Sequence, residues 1–322
     1  MLIRKWYFVS VLAAIGLFTT DLATAEEGGS GHYLPGATSS FIDAFPGKPG
    51  WAVANYFTVY DASAGGSRQL ELGGQVALGV HAKVYANTFA AIYTSKLQLL
   101  GGNYGAGAAI PFVWLDVKGR LSVGGASVSA SDHANGIGDI ALIPFMLGWN
   151  KMDGQLKYDV RLGVYTPTGS FEEGQLANTG KNYWTFEPSA SVSYLSHKIG
   201  LEATAFAGFD FNTKNTATDY QSGHSFHIET TLAEHLPLLG GVVGAGATAF
   251  YYQQITDDSG SGAQLGDFVG HTVGVGPVLS YVTKLGKNKQ IDFAAEIKWL
   301  PELDVEKRLD GDYVWFKLGL IF

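Results

Sequence analysis

The sequence predicts an all-β transmembrane barrel, an antiparallel up-and-down sheet of about twelve strands. Three observations lead there: period-two alternation of apolar and charged residues, a charged fraction of only 16%, and connections that are by turns short and long. On a strand, successive side chains point to opposite faces, so alternation sends one set to lipid and the other to the interior. Soluble domains average about 25% charged residues. A mean hydropathy of +0.09, with 43 glycines, 16 tyrosines and 19 phenylalanines, fits strands that average a lipid face with a polar one.

The chain opens with the order of a secretory signal peptide. Arg4 and Lys5 precede an apolar run from Trp6 to Phe18, and Ala23-Thr24-Ala25 supplies a small-x-small cleavage site before Glu26-Glu27. Residues 1–25 are therefore expected to be removed and residues 26–322 to be exported. After residue 25 no run of ~18 apolar residues occurs, the minimum for a spanning helix. The expected destination is the outer membrane of a Gram-negative cell. Cysteine is absent, so neither a disulfide framework nor a thiolate metal site can form. Without Arg4, Lys5 and Asp21 the chain keeps 19 basic and 28 acidic residues, a net charge of about −9. An acidic chain with no basic run excludes a nucleic-acid partner.

Residues 26–49 precede the first strand. Tyr33, Leu34, Phe41, Ile42 and Phe45 stand there among Gly, Ser and Pro, which is too apolar for a solvated linker. The segment is expected to pack into the lumen as a plug, with Tyr33, Leu34, Phe41 and Phe45 as its candidate contacts.

Residues 50–322 form the expected barrel. Between Gln69 and Asn87 one parity holds Leu70, Leu72, Val76, Leu78, Val80 and Val84, assigned here to lipid, against Glu71, Gln75, His81, Lys83 and Tyr85. From Gln155 to Tyr165, Leu156, Tyr158, Val160, Leu162 and Val164 oppose Gln155, Lys157, Asp159 and Arg161. A cation at mid-bilayer costs roughly 2–4 kcal/mol, so the charged set belongs inside. Ile291, Phe293, Ile297 and Trp299 oppose Asp292, Glu296 and Lys298; Val314, Phe316, Leu318, Leu320 and Phe322 oppose Tyr313, Trp315, Lys317 and Gly319.

The same template places strands near 50–60, 69–92, 104–117, 137–149, 155–166, 183–195, 199–211, 223–236, 241–254, 266–282, 290–300 and 312–322. Residues 108–117 and 140–149 are apolar on both parities and leave their faces open. Pro111, Pro144, Pro188 and Pro277 fall inside strands, where each removes a ladder donor and can mark a bulge. Connections at 151–154, 196–198 and 237–239 are tight, whereas those after the third, fifth, seventh, ninth and eleventh strands are longer and rich in Gly, Ser, Asn, Thr or Asp. Short turns at one end and long loops at the other are the outer-membrane pattern. An even count puts both termini on the periplasmic side, and Phe322 provides the terminal aromatic that barrel-assembly machinery reads.

The inward charges Lys157, Asp159, Arg161, Glu202, Glu229, Asp292, Glu296, Lys298 and Lys317 are the candidate channel-lining residues. They either line a polar passage or pair with one another and fill it. His227, Glu229 and His235 share a parity, but His227 and His235 lie about 26 Å apart along a strand, so no joint metal site is expected and lumen hydrogen bonding is. Asp257-Asp258-Ser259-Gly260 has the oxygens of a Ca2+ loop and the composition of an ordinary solvated one. Asn182-Tyr183-Trp184, Tyr194, Tyr281 and Trp299 are expected at the headgroup level as an aromatic girdle. Ser225 and His227 share a parity, yet no Gly-x-Ser-x-Gly elbow is present. No catalytic residue, metal ligand or cofactor is assigned.

Several segments resemble the outer-membrane family named for the meta-pathway of phenol degradation (MetA-pathway type). They are His32-Tyr33-Leu34-Pro35-Gly36, Thr166-Pro167-Thr168-Gly169, Asn182-Tyr183-Trp184-Thr185-Phe186-Glu187-Pro188, residues 215–223, Tyr252-Gln253-Gln254 with Asp257-Asp258, and Val275-Gly276-Pro277. The resemblance implies a porin-like barrel, associated with aromatic catabolism, that takes up small organic solutes passively. It carries no catalytic residues across. The expected partners are outer-membrane lipids, the assembly machinery through Phe322, and small organic solutes, with the oligomeric state left open. The alternatives are an outer-membrane lipid-modifying hydrolase and a closed structural or binding barrel.

Overall fold

The computed structural model describes residues 27–65, 68–123, 126–266 and 269–322. The expected signal peptide, residues 1–25, lies outside them. In chain order the strands are β1 (Gly50–Ser63), β2 (Gln69–Leu72), β3 (Gln75–Leu99), β4 (Gly102–Val123), β5 (Ala126–Ile137), β6 (Ala141–Lys151) and β7 (Leu156–Tyr165). They continue with β8 (Thr185–Leu195), β9 (Leu201–Asn212), β10 (Ser225–Leu238), β11 (Gly241–Gln254), β12 (His271–Leu285), β13 (Ile291–Glu306) and β14 (Asp310–Ile321). Every pairing is antiparallel, and β1 closes the ring by bonding both β3 and β14, Val53 facing Ala91 on one side and Leu320 on the other.

These strands fill twelve positions of a closed barrel. β2 prolongs β1 along β3, and β5 and β6 lie end to end along β4. The barrel expected from alternation is thus borne out, with one change. The connection between the third and fourth expected strands is itself a hairpin, since β4 and β5 stay paired from Phe112–Ile137 out to Val123–Ala126. Ladder hydrogen bonding continues there beyond the apolar belt, where polar residues such as Ser127, Ser129 and Ser131 replace the apolar outward face.

Outside the barrel runs a belt of exposed large apolar side chains, including Phe89, Trp114, Phe145, Leu232, Ile297 and Phe316. Soluble monomers rarely expose more than a few hundred Å2 of contiguous apolar surface, so the belt is the face a bilayer covers. The open parities now resolve. On β4, Ile110, Phe112 and Trp114 are exposed while Val113, Leu115 and Val117 face the interior. On β6, register shifts between Leu142 and Phe145, around Pro144.

Two sequence expectations reverse. Val80 and Val84 face the interior, and Leu70 and Leu72 are buried in the main apolar cluster instead of meeting lipid. The β2–β3 tip causes this. It reaches across the mouth, where the Gly73 carbonyl accepts from Gly174 and Glu71 accepts from the Leu265 amide, both at 2.8 Å, and a register shift between Leu78 and His81 resets the alternation. Tyr183 is also no girdle residue. It is fully buried and edge-on to His32, while Trp184 and Trp299 are exposed.

Candidate functional site

Residues 27–49 run inside the barrel and contact opposite walls. Backbone geometry allows the path: Gly36 has φ +89°, and a Cβ there would lie 2.5 Å from Trp315 Nε1, so only glycine fits. The Gly36 amide donates to Glu229 at 2.8 Å, and Trp315 Nε1 donates to the Pro35 carbonyl at 2.8 Å. Further along, the Phe41 amide donates to Glu202 at 2.8 Å. Phe45 is buried against Gly148, where a Cβ would fall 2.3 Å from the ring. Tyr33 stacks on His227 with centroids 4.0 Å apart, Leu34 packs on the main apolar cluster, and Phe41 meets His235 edge-on at 5.2 Å.

Asp43 is the anchor that sequence reasoning passed over. It accepts from Lys317 at 2.8 and 2.9 Å and from the Ser39 amide at 3.0 Å, and Lys298 Nζ lies 3.7 Å away. Burial by itself would raise the Asp43 carboxyl, but the Lys317 and Lys298 charges and the Ser39 amide outweigh it and hold it below the ordinary value. Lys298 also reaches Glu296 at 3.0 Å. Charges taken out of water at this depth are tolerable only when each is paired and hydrogen-bonded.

The nine inward charges therefore divide. Glu296, Lys298 and Lys317 gather around Asp43. Glu202 and Glu229 accept backbone amides of the N-terminal segment, and Glu202 also binds His235 at 2.8 Å. Asp159 and Arg161 form a two-pronged pair at 2.7 and 2.8 Å. Asp292 sits at the end of the barrel where β1 begins and β14 ends, where it binds Lys48 and Lys284, and the Lys157 stem passes beside Gly47.

Beside this seam lies a cavity of about 390 Å3. Its wall is apolar: Ala82, Val84 and Ala86 of β3 and Val113, Leu115 and Val117 of β4 face Tyr33 and Leu34 of the inner segment. Of the nine inward charges Arg161 borders it, and Glu27, Asp43, Asp139, Lys181 and Glu187 complete its polar margin. The interior is thus divided, one wall charged and occupied by the N-terminal segment, the other, on β3 and β4, apolar and facing the cavity.

A second hub organises the loop end. Asp139, in the break between β5 and β6, accepts from His32 Nε2 at 3.0 Å, from the Gly169 amide at 2.8 Å and from the Lys181 amide at 2.6 Å. Burial would raise its carboxyl; the His32 hydrogen bond and charge and the two amides outweigh burial and hold it low. Three segments distant in sequence, two of them among the family-like motifs, converge there. Gly169 must be glycine, because a Cβ would lie 2.5 Å from Gly180 Cα. The only sequence signal was a Gly-Asp pair between two apolar stretches.

Two other candidates change meaning. Asp258 accepts from Tyr220, from the Gly223 amide at 2.6 Å and from Gln254 at 2.7 Å, so it ties a loop together. Ser225 donates to Asp210 at 2.7 Å, and neither ring nitrogen of His227 has a hydrogen-bond partner, so Ser225 and His227 form no nucleophile–base pair.

Known proteins fit this architecture. The chain resembles the COG4313 outer membrane channel from Pseudomonas putida F1 at 12% identity, covering 90% of this chain and 100% of that one with a TM-score of 0.58. It also matches the translocator domain of the autotransporter NalP from Neisseria meningitidis at 13% identity, covering 86% and 90% of the two chains with a TM-score of 0.43. Among curated proteins none matches. At 12% identity the likeness to the Pseudomonas putida channel speaks for the barrel fold alone. The family model described as "Putative MetA-pathway of phenol degradation" matches residues 66–318, and the chain belongs to that family.

Proposed function

We propose that this protein is an outer-membrane channel for small apolar or aromatic solutes, held closed at rest by its N-terminal segment. The observation that carries the proposal is the cavity of about 390 Å3 between that segment and the apolar faces of β3 and β4. A ligand pocket of ~300–1,000 Å3 lined mainly by apolar groups suits a small organic molecule. A hydrated ion would gain nothing from a wall of Ala, Val and Leu and would lose its water there. The lipid-facing belt supports an outer-membrane setting, and Phe322, exposed at the end of the final strand, is offered to the assembly machinery.

The experiment is flux through the purified mature protein in liposomes, with a parallel planar-bilayer recording. Deleting residues 28–46 should raise both permeability and conductance. Unchanged flux in a normally assembled deletion variant would sink the plug. Absence of apolar-solute flux in both forms would sink the channel.

A further inference from the structure

Glu187, Asp210 and His227 stand on three adjacent strands, β8, β9 and β10, toward the loop end. One donor atom from each falls within 4.8 Å of the others. His227 Nε2 is 3.7 Å from Glu187 Oε1 and 3.8 Å from Asp210 Oδ2, too far for hydrogen bonds. His227 is only 2% exposed, and both its ring nitrogens lack a hydrogen-bond partner. Buried polar groups are paired in the large majority of cases. A buried imidazole with no hydrogen-bond partner in the protein, aimed at two carboxylates, therefore calls for an explanation.

We propose that Glu187, Asp210 and His227 bind a first-row divalent transition-metal ion such as Zn2+ or Mn2+. One imidazole and two carboxylates, with no thiolate, are the donors such ions take. Two carboxylates also match the ion's charge. An ion about 2.1 Å from each donor has tetrahedral edges of about 3.4 Å; the two separations from His227, 3.7 and 3.8 Å, exceed that by a few tenths of an ångström, and the edge between the carboxylates lies within 4.8 Å.

The surroundings hold the three donors in this orientation. Gly208 lies opposite His227 in the sheet, and a Cβ there would come within 2.6 Å of Nε2; the missing side chain makes room for the imidazole. Tyr33 lies flat on the ring, 17° from parallel, and fixes its plane. Tyr165 donates to Glu187 Oε2 at 2.9 Å, which leaves Oε1 turned to the histidine, and Ser225 donates at 2.7 Å to Asp210 Oδ2, the oxygen that faces the histidine. Groups that hydrogen-bond metal ligands orient them in this way. Glu187 lies at the polar margin of the cavity, where Arg161 also borders it. Looking along one strand for ligands, with Glu229 and His235, missed the cluster because its members lie across strands.

The test is a Co2+ titration of the full, folded barrel in detergent after chelator treatment. The expected result is a single saturable equivalent with a visible absorption band, displaced by Zn2+. His227→Phe keeps a ring under Tyr33 and removes both nitrogens; Asp210→Asn removes one charge. Each should abolish the saturable equivalent while heat-modifiable mobility stays normal. His271→Ala should leave binding intact, since the exposed group of His271, Asp304 and Glu306 is the competing surface site. The proposal is overturned if folded wild-type protein takes up no Co2+, Zn2+ or Mn2+ saturably. It is equally overturned if uptake persists in both cluster variants, or disappears with His271→Ala alone. None of these outcomes depends on whether the barrel conducts.

Discussion

Lys317 of the last strand donates to both carboxylate oxygens of Asp43, which lies ahead of the first strand. The two are 274 residues apart in the chain, and the bond holds the inner segment to the strand that completes the barrel. The segment therefore cannot be fully seated until β14 is in place beside β1.

Removing the anchor should loosen the whole arrangement. Asp43→Ala leaves Lys317 and Lys298 buried without their shared carboxylate, a loss of about 3–5 kcal/mol for breaking a buried pair. The expected outcome is a lower midpoint in urea and protease cleavage within residues 27–49. Asp43→Asn with Lys317→Met should recover part of the loss; a double variant no better than Asp43→Ala would contradict the pairing.

The two low carboxyls set an acid limit. A carboxyl whose folded value is depressed contributes stability that is fully present above its unfolded value, about 3.9, and lost as pH falls through the folded value. Asp43 and Asp139 are both held low. The loss of exchange protection in residues 27–49 and 166–184 caused by Asp43→Asn or Asp139→Asn, taken relative to the parent at the same pH, should thus be constant from pH 7 to 5 and shrink only below about pH 4. A difference that already shrinks at pH 5 or above would contradict this.

Gly36→Ala tests the backbone path. Its φ of +89° and the 2.5 Å approach of a Cβ to Trp315 Nε1 add strain of order 1–3 kcal/mol to a steric clash. Trp315 fluorescence should shift to longer wavelength as the indole loses its hydrogen bond to Pro35 and meets water. A spectrum identical to wild type would show that the segment passes elsewhere.

The apolar wall can be filled without touching the charged seam. Ala86→Phe adds a ring to the cavity from β3 and should reduce flux of an aromatic solute roughly tenfold, about 1.4 kcal/mol in the barrier, with normal heat-modifiable mobility. Undiminished flux in the folded variant would move the passage away from β3 and β4.

Alternation in Leu156–Tyr165, Ile291–Trp299 and Tyr313–Phe322 determined the barrel, its approximate strand count and the inward placing of Asp159, Arg161, Glu296, Lys298 and Lys317, because a charge in hydrocarbon is too costly to point outward. That argument is local, and it holds only where one parity is charged. Where both parities are apolar, as in β4 and β6, or where a bulge resets the phase, as at the β2–β3 tip, the face is chosen by what packs against it. Leu70, Leu72, Val80 and Val84 went inward for that reason. The family-like segments were legible as motifs, but not that His32, Gly169 and Lys181 meet on Asp139. Nor could spacing along one strand reveal Glu187, Asp210 and His227 as neighbours. Such clusters depend on strand register, and register is set by closure of the whole sheet, which makes residues distant in sequence neighbours and residues eight apart on one strand strangers.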